Sequence, residues 1–277
     1  MGGSVSEQSV DVQYADLISR ILATGQEVVT RNARVKRLFA EKAVFVSTPL
    51  VAARRTAWKN ALREWEWFMS GSCDIADLHP SVRPWWAPWV RDDGLVLNNY
   101  STQFRYSCGR GNDQDNPFDQ LRYLIDGIRN HPCSRRNVVT TWNTSEMADK
   151  RTPLTNCHGT VIQAFVNPDN SLHLVTYQRS ADVVCGLLHN WIQYWAFFLW
   201  LTHRTERTMG TFTWIGGDVH VYEQHWELAR DIVAAVSQCS STPQLVYTPS
   251  SDDFRADDFT LDVDYCPVVL TRAEMVV

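Results

Sequence analysis

The feature that most constrains the fold is one long apolar segment, "LLHNWIQYWAFFLWLTH", at residues 187–203. It is shorter than the ~20 apolar residues that a membrane-spanning helix requires, and it contains His189, Asn190 and Gln193. We therefore predict no membrane span but a helix that is buried on nearly all sides. The chain of 277 residues, of which 44% are hydrophobic, is long and apolar enough to supply the core that such a helix needs.

Helices and strands are both predicted along the rest of the chain. Helical spacing of apolar residues indicates helices over residues 14–25, 56–71 and 118–132. Strand-like runs occupy residues 137–143, 160–166, 171–178 and 211–222. Because these elements lack the regular alternation of a doubly wound fold, we predict one α+β domain over residues 1–277. Residues 1–13 are expected to be disordered or a remnant of cloning, and residues 80–117 to form a long functional loop region.

Charge and cysteine content limit the class of protein. A formal net charge of -5 argues against a nucleic-acid partner that needs a basic surface. Seven cysteines form an odd set with no CxxC pair, so neither a disulfide framework nor a common zinc pattern is predicted. The start of the chain lacks the blocks of a signal peptide. We predict a cytoplasmic protein, in the cytoplasm of a host cell if the sequence is viral.

Cys157 is the candidate nucleophile. Cysteine is one of the residue types most often buried, so a small core residue is the competing interpretation. A reactive cysteine needs its thiolate stabilised by nearby positive charge, and Arg179 on a neighbouring predicted strand could supply that charge. The immediate surroundings of Cys157 leave the choice open.

Other polar residues suggest a nucleotide site. Arg135 and Arg136 could grip a phosphate, although such a pair is also typical of a solvated surface. Asn190, on an apolar helix, needs a hydrogen-bond partner, which is either a backbone carbonyl or the edge of a base. His220 and Tyr222 point the same way from one strand. A metal set of His220, His225 and Asp218 has the spacing of no known zinc motif, so we predict no metal site.

Together these segments resemble thymidylate synthases and the related pyrimidine nucleotide hydroxymethylases, from about residue 14 to the C-terminus. The similarity is densest in "CH" at 157–158, "YQRSADVVCGLLHN" at 177–190 and "FTWIGGDVHVY" at 212–222. The resemblance implies an α+β, three-layer fold whose large mixed sheet lies at the interface of an obligate homodimer. It also implies one-carbon transfer from the co-substrate 5,10-methylenetetrahydrofolate to C5 of a pyrimidine nucleotide.

The resemblance also implies roles for single residues. Cys157 would add to C6 of the base, and Arg179 would help to keep it ionised. Glu64 would organise water and protons, Tyr100 would assist proton removal from C5, and Asn190 would read the base. The nucleotide would be held by Arg31, Arg179 and Ser180, by His220 and Tyr222 at the sugar, and by Arg135 and Arg136 of the other subunit. The folate would contact Arg54, Trp86, Trp89 and Asp182.

Several departures from the synthase pattern surround the folate and the lid. Asn156 stands where synthases have proline, Ser101 where they have glycine and His189 where they have phenylalanine. A rearranged, wetter cavity favours water over hydride in the last step. We therefore predict a deoxyuridylate hydroxymethylase, which converts dUMP to 5-hydroxymethyl-dUMP through a covalent adduct between Cys157 and C6 of the base.

Two alternatives within the family stay open. The first is a thymidylate synthase that makes dTMP from dUMP, which the retained Trp86 favours because in synthases it shields the intermediate. The second is a dCMP or CMP hydroxymethylase; cytosine-specific members carry aspartate at the position of Asn190, so asparagine points to uracil. A non-catalytic nucleotide- or RNA-binding relative, or an aromatic-rich structural protein, is the alternative outside the enzymes. Such a protein has no need of a nucleophile.

Overall fold

The first helix starts earlier than the sequence indicated. The computed structural model describes residues 8–97, 99–106, 118–144, 156–240 and 242–276, and in it helix α1 spans Val10–Thr24. The sequence predicted an irregular start over residues 1–13, but residues 10–13 belong to this helix. Residues 1–7 lie outside the described part. The helix begins early because the Ser9 side chain accepts a hydrogen bond from the backbone N–H of Val12, and because Val10 is buried.

The other helices and the strands follow in a mixed order. Within the described ranges the other α-helices are α2 (Trp58–Ser70), α3 (Arg83–Trp86), α4 (Tyr100–Tyr106), α5 (Gln120–Asn130), α6 (Leu187–Arg204) and α7 (Trp226–Ala235). The strands are β1 (Gln26–Val29), β2 (Arg34–Phe45), β3 (Val138–Thr140), β4 (Val161–Val166), β5 (Ser171–Asp182), β6 (Thr208–Tyr222), β7 (Leu245–Tyr247) and β8 (Phe259–Leu261). The predicted helices and strands are all present, with ends that differ by a few residues. This mixture confirms the predicted α+β class.

Helix α6 is the apolar segment, and it is buried along almost its whole length, as predicted. It packs against α2 on one side and against β5 and β6 on the other. Trp191 on this helix packs edge-on against Trp214 of β6, and Trp65 of α2 packs against Tyr194 on the helix; the three tryptophans have almost no solvent exposure. No helix in the described ranges is both long and apolar enough to cross a membrane.

Six strands form one mixed sheet in the order β1-β2-β6-β5-β4-β3. Neighbouring strands are antiparallel except β5 and β6, which run parallel, as a crossover through α6 requires. Strands β1 and β2 were not predicted. Charged residues interrupt the alternation of β2, "RVKRLFAEKAVF", so that pairing with β6, rather than a clean pattern in the sequence, decides its conformation.

One face of the sheet is covered and the other is exposed. On β4 the side chains of Ile162 and Ala164 are buried, whereas Val161 and Phe165 on the opposite face are exposed, Phe165 by 54%. Val175 on β5 adds a further exposed apolar side chain to that face. Alternation along the strands therefore gives the sheet an inner face against the helices and an outer apolar face.

The region predicted as a long loop, residues 80–117, contains the helices α3 and α4. Residues 98 and 107–117 lie outside the described part. The prediction was wrong for α4 because Phe104 packs in the core against Trp65, which outweighs the polar composition of the region. That the chain forms a single domain stays a prediction; it is supported by one continuous cluster of buried hydrophobic residues that includes α1, the sheet and α6.

Candidate active site

Two parallel strands bring the predicted nucleotide-binding residues together. Ser180 on β5 is paired with Asp218 on β6, and Asp182 is paired with His220. Gly217 on β6 lies directly against the backbone of Arg179, where a side chain would collide with its carbonyl group. The parallel pairing therefore places residues 177–182 of β5 and 215–220 of β6 side by side.

Cys157 lies just before β4, next to Tyr100 on α4. The backbone N–H of Cys157 donates to the Tyr100 hydroxyl at 2.7 Å, and this hydroxyl lies 3.0 Å from the thiol sulfur. Burial raises the pKa of the Cys157 thiol, although the hydrogen bond with Tyr100 and the positive charge of Arg179 oppose the rise. The expected influence of Arg179 is thus present, but burial outweighs it and the thiol form is favoured.

His158 holds Tyr100 in place. The two rings stack with 4.1 Å between their centres, and His158 Nδ1 lies 2.8 Å from the hydroxyl of Tyr194 on α6. Burial lowers the pKa of His158 to about 3, so the imidazole is neutral. It packs between Tyr100, on which it stacks, and Tyr194, to which it is hydrogen-bonded. The backbone turns after it at Gly159, whose φ of 58° favours glycine and where a side chain would collide with Tyr194.

Glu64 on α2 is a buried carboxylate with two donors. Trp86 Nε1 donates to one oxygen at 2.6 Å, and Gln193 Nε2 donates to the other at 2.7 Å. Burial raises the pKa of Glu64 to about 7, against the effect of both hydrogen bonds. A carboxyl group with such a pKa can take and release a proton at neutral pH, and it lies close enough to Cys157 to affect the thiol electrostatically.

Asn190 is buried and joined to two glutamines. Gln178 Nε2 donates to Asn190 Oδ1 at 3.0 Å, and Asn190 Nδ2 donates to Gln193 Oε1 at 3.3 Å. The partners are thus side-chain amides rather than the backbone carbonyl considered above. Sequence reasoning missed Gln178, Gln193 and Tyr194 as parts of the site. Polar residues on the apolar helix were the one signal that could have found Gln193.

The predicted sugar-binding residues lie together at the end of β6. The rings of His220 and Tyr222 are 5.0 Å apart, and both side chains are largely buried. Asp218 lies 3.0 Å from His220 Nδ1 and accepts a hydrogen bond from Arg37 at 2.8 Å. The carboxylate therefore fixes the imidazole, so that its other nitrogen is left to face a ligand.

The other arginines predicted at the phosphate are not all gathered by one chain. Arg31 is exposed between β1 and β2, where it donates to the side chain of Asn32. Arg135 and Arg136 are exposed between α5 and β3. Arg179 is half-buried and donates to the carbonyl of Asn156 at 3.4 Å. The predicted grouping of these four arginines around one phosphate requires a second subunit.

The predicted folate contacts divide into two groups. Trp86 and Trp89 lie on consecutive turns with ring centres 5.8 Å apart, and Trp89 is half-exposed. Asp182 accepts from the backbone N–H groups of Val184 and Cys185 at the end of β5. Arg54, in contrast, is buried and its backbone pairs with Val269 of the C-terminal segment. Direct contact of Arg54 with the folate stays a prediction.

One group of potential metal ligands occurs among the described residues. Ligand atoms of Asp182, Cys185 and His225 lie within 4.8 Å of one another. This is not the set of His220, His225 and Asp218 that the sequence raised and set aside. Asp182 is already engaged by two backbone donors, and the Cys185 thiol donates to the carbonyl of Glu274 at 3.4 Å.

Comparison with known proteins identifies the family. The family described as thymidylate synthase matches residues 12–277. A thymidylate synthase of Rhodopseudomonas palustris (strain BisA53) is 29% identical over 299 residues, which cover 96% of this chain and 98% of that protein. A thymidylate synthase of Cereibacter sphaeroides (strain ATCC 17025 / ATH 2.4.3) is 28% identical over 283 residues, covering 90% and 93%.

The chain therefore belongs to the thymidylate synthase family, and the predicted resemblance and fold are confirmed. It is an enzyme that transfers a one-carbon unit from 5,10-methylenetetrahydrofolate as co-substrate.

Proposed function

We propose that this member of the thymidylate synthase family methylates C5 of dUMP to give dTMP. The observation that carries the proposal is the Cys157 thiol, held 3.0 Å from the Tyr100 hydroxyl beside the buried Glu64 and Asn190. The names of both relatives favour this reaction over the hydroxymethylation predicted from the sequence. The buried Trp86, which donates to Glu64, also favours it.

The residues have distinct tasks in this reaction. The Cys157 sulfur would bond to C6 of the base once its proton has left, and the resulting charge would be carried by C5 and the carbonyl oxygen at C4. Arg179 would lower the cost of the thiolate that burial disfavours. Glu64, with a pKa of about 7, would pass protons to and from the base carbonyl, and Tyr100 would assist removal of the C5 proton before Cys157 leaves.

The folate supplies the methylene group and, in the methylation reaction, the hydride that reduces it. Trp86 and Trp89 offer a pair of aromatic rings to a flat pterin, and Asp182 offers a carboxylate to its nitrogen atoms. These residue types fit the co-substrate, whereas the buried Arg54 fits a supporting role beneath the C-terminal segment better than direct contact.

A second candidate function is hydroxymethylation of dUMP, as the sequence suggested. The observation in its favour is Asn156, which precedes the nucleophile and whose buried Oδ1 has no hydrogen-bond partner among the described residues. Its Nδ2 donates to the carbonyl of Thr141. An unpaired buried oxygen is a natural place to hold a water molecule, and water that adds to the methylene carbon at C5 would give the hydroxymethyl group.

Mass spectrometry of the product separates the two candidates. The enzyme is incubated with dUMP and methylenetetrahydrofolate, and the nucleotide product is weighed. We expect addition of CH2, accompanied by dihydrofolate. Addition of CH2O without dihydrofolate would overturn methylation in favour of hydroxymethylation. The absence of any product from dUMP, with turnover of dCMP or CMP, would support the cytosine-specific alternative.

We also propose that the enzyme is a homodimer that forms through the outer face of the sheet. The exposed Val161, Phe165 and Val175 on this face are the type of surface that a second subunit covers. Arg135 and Arg136 are exposed and free to reach across to the other active site. A cytoplasmic location is likewise a proposal; it is supported by free cysteines at all six of the described cysteine positions.

A further inference from the structure

A chain of side-chain hydrogen bonds connects the Glu64 carboxylate to Asn190, the residue that is predicted to read the base. It runs from the Trp214 indole to Gln178 (2.9 Å), Asn190, Gln193 and the Glu64 carboxylate. The three amides are less than 10% exposed, so each hydrogen bond is made with little competition from water. We call these residues the amide relay.

The structure fixes the orientation of the amide relay at its Gln178 end. An indole N–H can only donate, so the Gln178 atom that faces Trp214 must be its oxygen. Gln178 Nε2 then donates to the carbonyl of Ser180 at 3.0 Å and to Asn190. A reversed Gln178 amide would place donor against donor at Trp214 and acceptor against acceptor at Ser180.

The opposite end is fixed by Gln193. Its Nε2 donates to the carbonyl of Ala61 at 3.1 Å, and a carbonyl can only accept. The same nitrogen donates to Glu64, so Gln193 Oε1 is turned towards Asn190. Both neighbours of Asn190 are therefore locked by groups that have one hydrogen-bonding role each.

Asn190 can satisfy both neighbours in one orientation, with Oδ1 towards Gln178 and Nδ2 towards Gln193. Each of these atoms retains capacity for one further bond, an acceptor at Oδ1 and a donor at Nδ2. Uracil presents the complement, a donor at N3 and an acceptor at O4, whereas cytosine presents an acceptor at N3 and a donor at N4. A reversed Asn190 amide would match cytosine.

We propose that Gln193 is a positioning residue that fixes the direction of the Asn190 amide and so selects uracil over cytosine. The inference rests on the proposed function and on the predicted contact of Asn190 with the base. It goes beyond that function because the selection is assigned to a residue that need not touch the nucleotide. Without Gln193, Asn190 keeps one of its two orienting partners and can reverse at a smaller cost.

Gln193→Met tests the proposal, because methionine has nearly the same volume but neither the donor nor the acceptor. Dissociation constants of dUMP and dCMP are measured by calorimetry, without folate. We expect the preference of the wild-type protein for dUMP to fall about tenfold, which corresponds to one buried hydrogen bond. Gln193→Leu, which also lacks both the donor and the acceptor, gives the same test if the methionine variant is poorly folded.

The matched control is Thr202→Val, which removes a buried hydrogen bond to the carbonyl of Phe198 on the same helix, away from the relay. It is expected to lower the melting temperature without changing the ratio of the two dissociation constants. An unchanged ratio in both Gln193 variants would overturn the proposal, as would a wild-type protein that prefers dCMP. Selective dUMP binding that is lost in the Gln193 variants, without turnover by the wild-type protein, would instead count against the proposed reaction and leave the role of Gln193 supported.

Discussion

Around Cys157, the helices and the sheet supply different kinds of side chain. The helical side contributes Glu64, Tyr100 and Asn190, which are buried and whose hydrogen bonds are made within the chain. The strand side contributes Arg179 and Ser180, which are half-buried, and the exposed Arg135 and Arg136 lie beyond them. The helical side chains already have hydrogen-bond partners within the chain, whereas the arginines of the strand side are predicted to bind the charged phosphate of the nucleotide.

This difference distinguishes the side chains that are suited to proton transfer from those that are suited to binding the nucleotide. Buried groups with fixed partners hold pKa values far from their ordinary range, as with Glu64 at about 7, and are suited to proton transfer. Exposed arginines keep water as an alternative partner and gain most when a phosphate displaces it. We therefore expect substitutions on the helical side to lower kcat, and substitutions among the arginines to raise KM.

The largest effect is expected for Cys157→Ser. Loss of the thiol removes the covalent step, so turnover should fall by at least about a thousandfold, whereas the dissociation constant of dUMP should change little. Mass spectrometry with 5-fluoro-dUMP and methylenetetrahydrofolate should show a covalent adduct on the wild-type protein that is missing from the variant. Retained turnover would remove Cys157 from its assigned role.

Glu64→Gln should lower kcat by about a hundredfold, because the amide cannot take a proton. As a base, Glu64 is active when ionised, so the wild-type rate should rise as the pH increases through about 7. That limb of the pH profile should disappear in the variant. A limb that persists near pH 7 would assign the titration to another group.

Stability should depend on pH in the opposite direction, which provides a check on the same residue. The pKa of Glu64 is raised from 4.5 in an unfolded chain to about 7, so the folded state favours the protonated form. The corresponding stabilisation is fully present below pH 4.5 and is lost as the pH rises to 7. Relative to Glu64→Gln, the wild-type free energy of unfolding should fall by about 3 kcal/mol over this interval.

Arg136→Ala should raise KM for dUMP by about tenfold or more and leave the melting temperature almost unchanged, because the side chain is exposed. If the arginine acts on the other subunit, mixing this variant with Cys157→Ser should restore activity at a dUMP concentration well below the wild-type KM. Random re-assortment of subunits gives about a quarter of the wild-type rate, since half of the dimers then hold one intact site. No recovery after mixing would argue that each site is complete within one chain.

The smallest effect on rate is expected for Asn156→Pro, which removes the side-chain amide with its unpaired oxygen but keeps the carbonyl that Arg179 contacts. Methylation should change by no more than about threefold. Any hydroxymethylated product of the wild-type enzyme should disappear, because the water site is lost. An increase in that product would show that Asn156 excludes water rather than holding it.

The sequence alone determined the buried helix α6 and most of the central sheet, and it singled out Cys157 as the candidate nucleophile. The largely apolar sequence of α6 could be accommodated in water by burial on nearly all sides, and this requirement follows from composition alone. The ordered segments around Cys157, Arg179 and His220 identified the family before any contact was known. Strand β2 escaped prediction because charged residues obscure its alternation, and its pairing partner lies far away in the chain.

The tertiary structure decided the state of each group in the site. Gln193 and Glu64 are 129 residues apart in sequence, so their hydrogen bond, the raised pKa of Glu64 and the direction of the amide relay depend on how α2 meets α6. The same holds for Cys157, where burial outweighs the nearby positive charge. Residue types and their spacing can identify candidate residues of the site. Desolvation and hydrogen-bond direction, in contrast, arise from packing between distant segments.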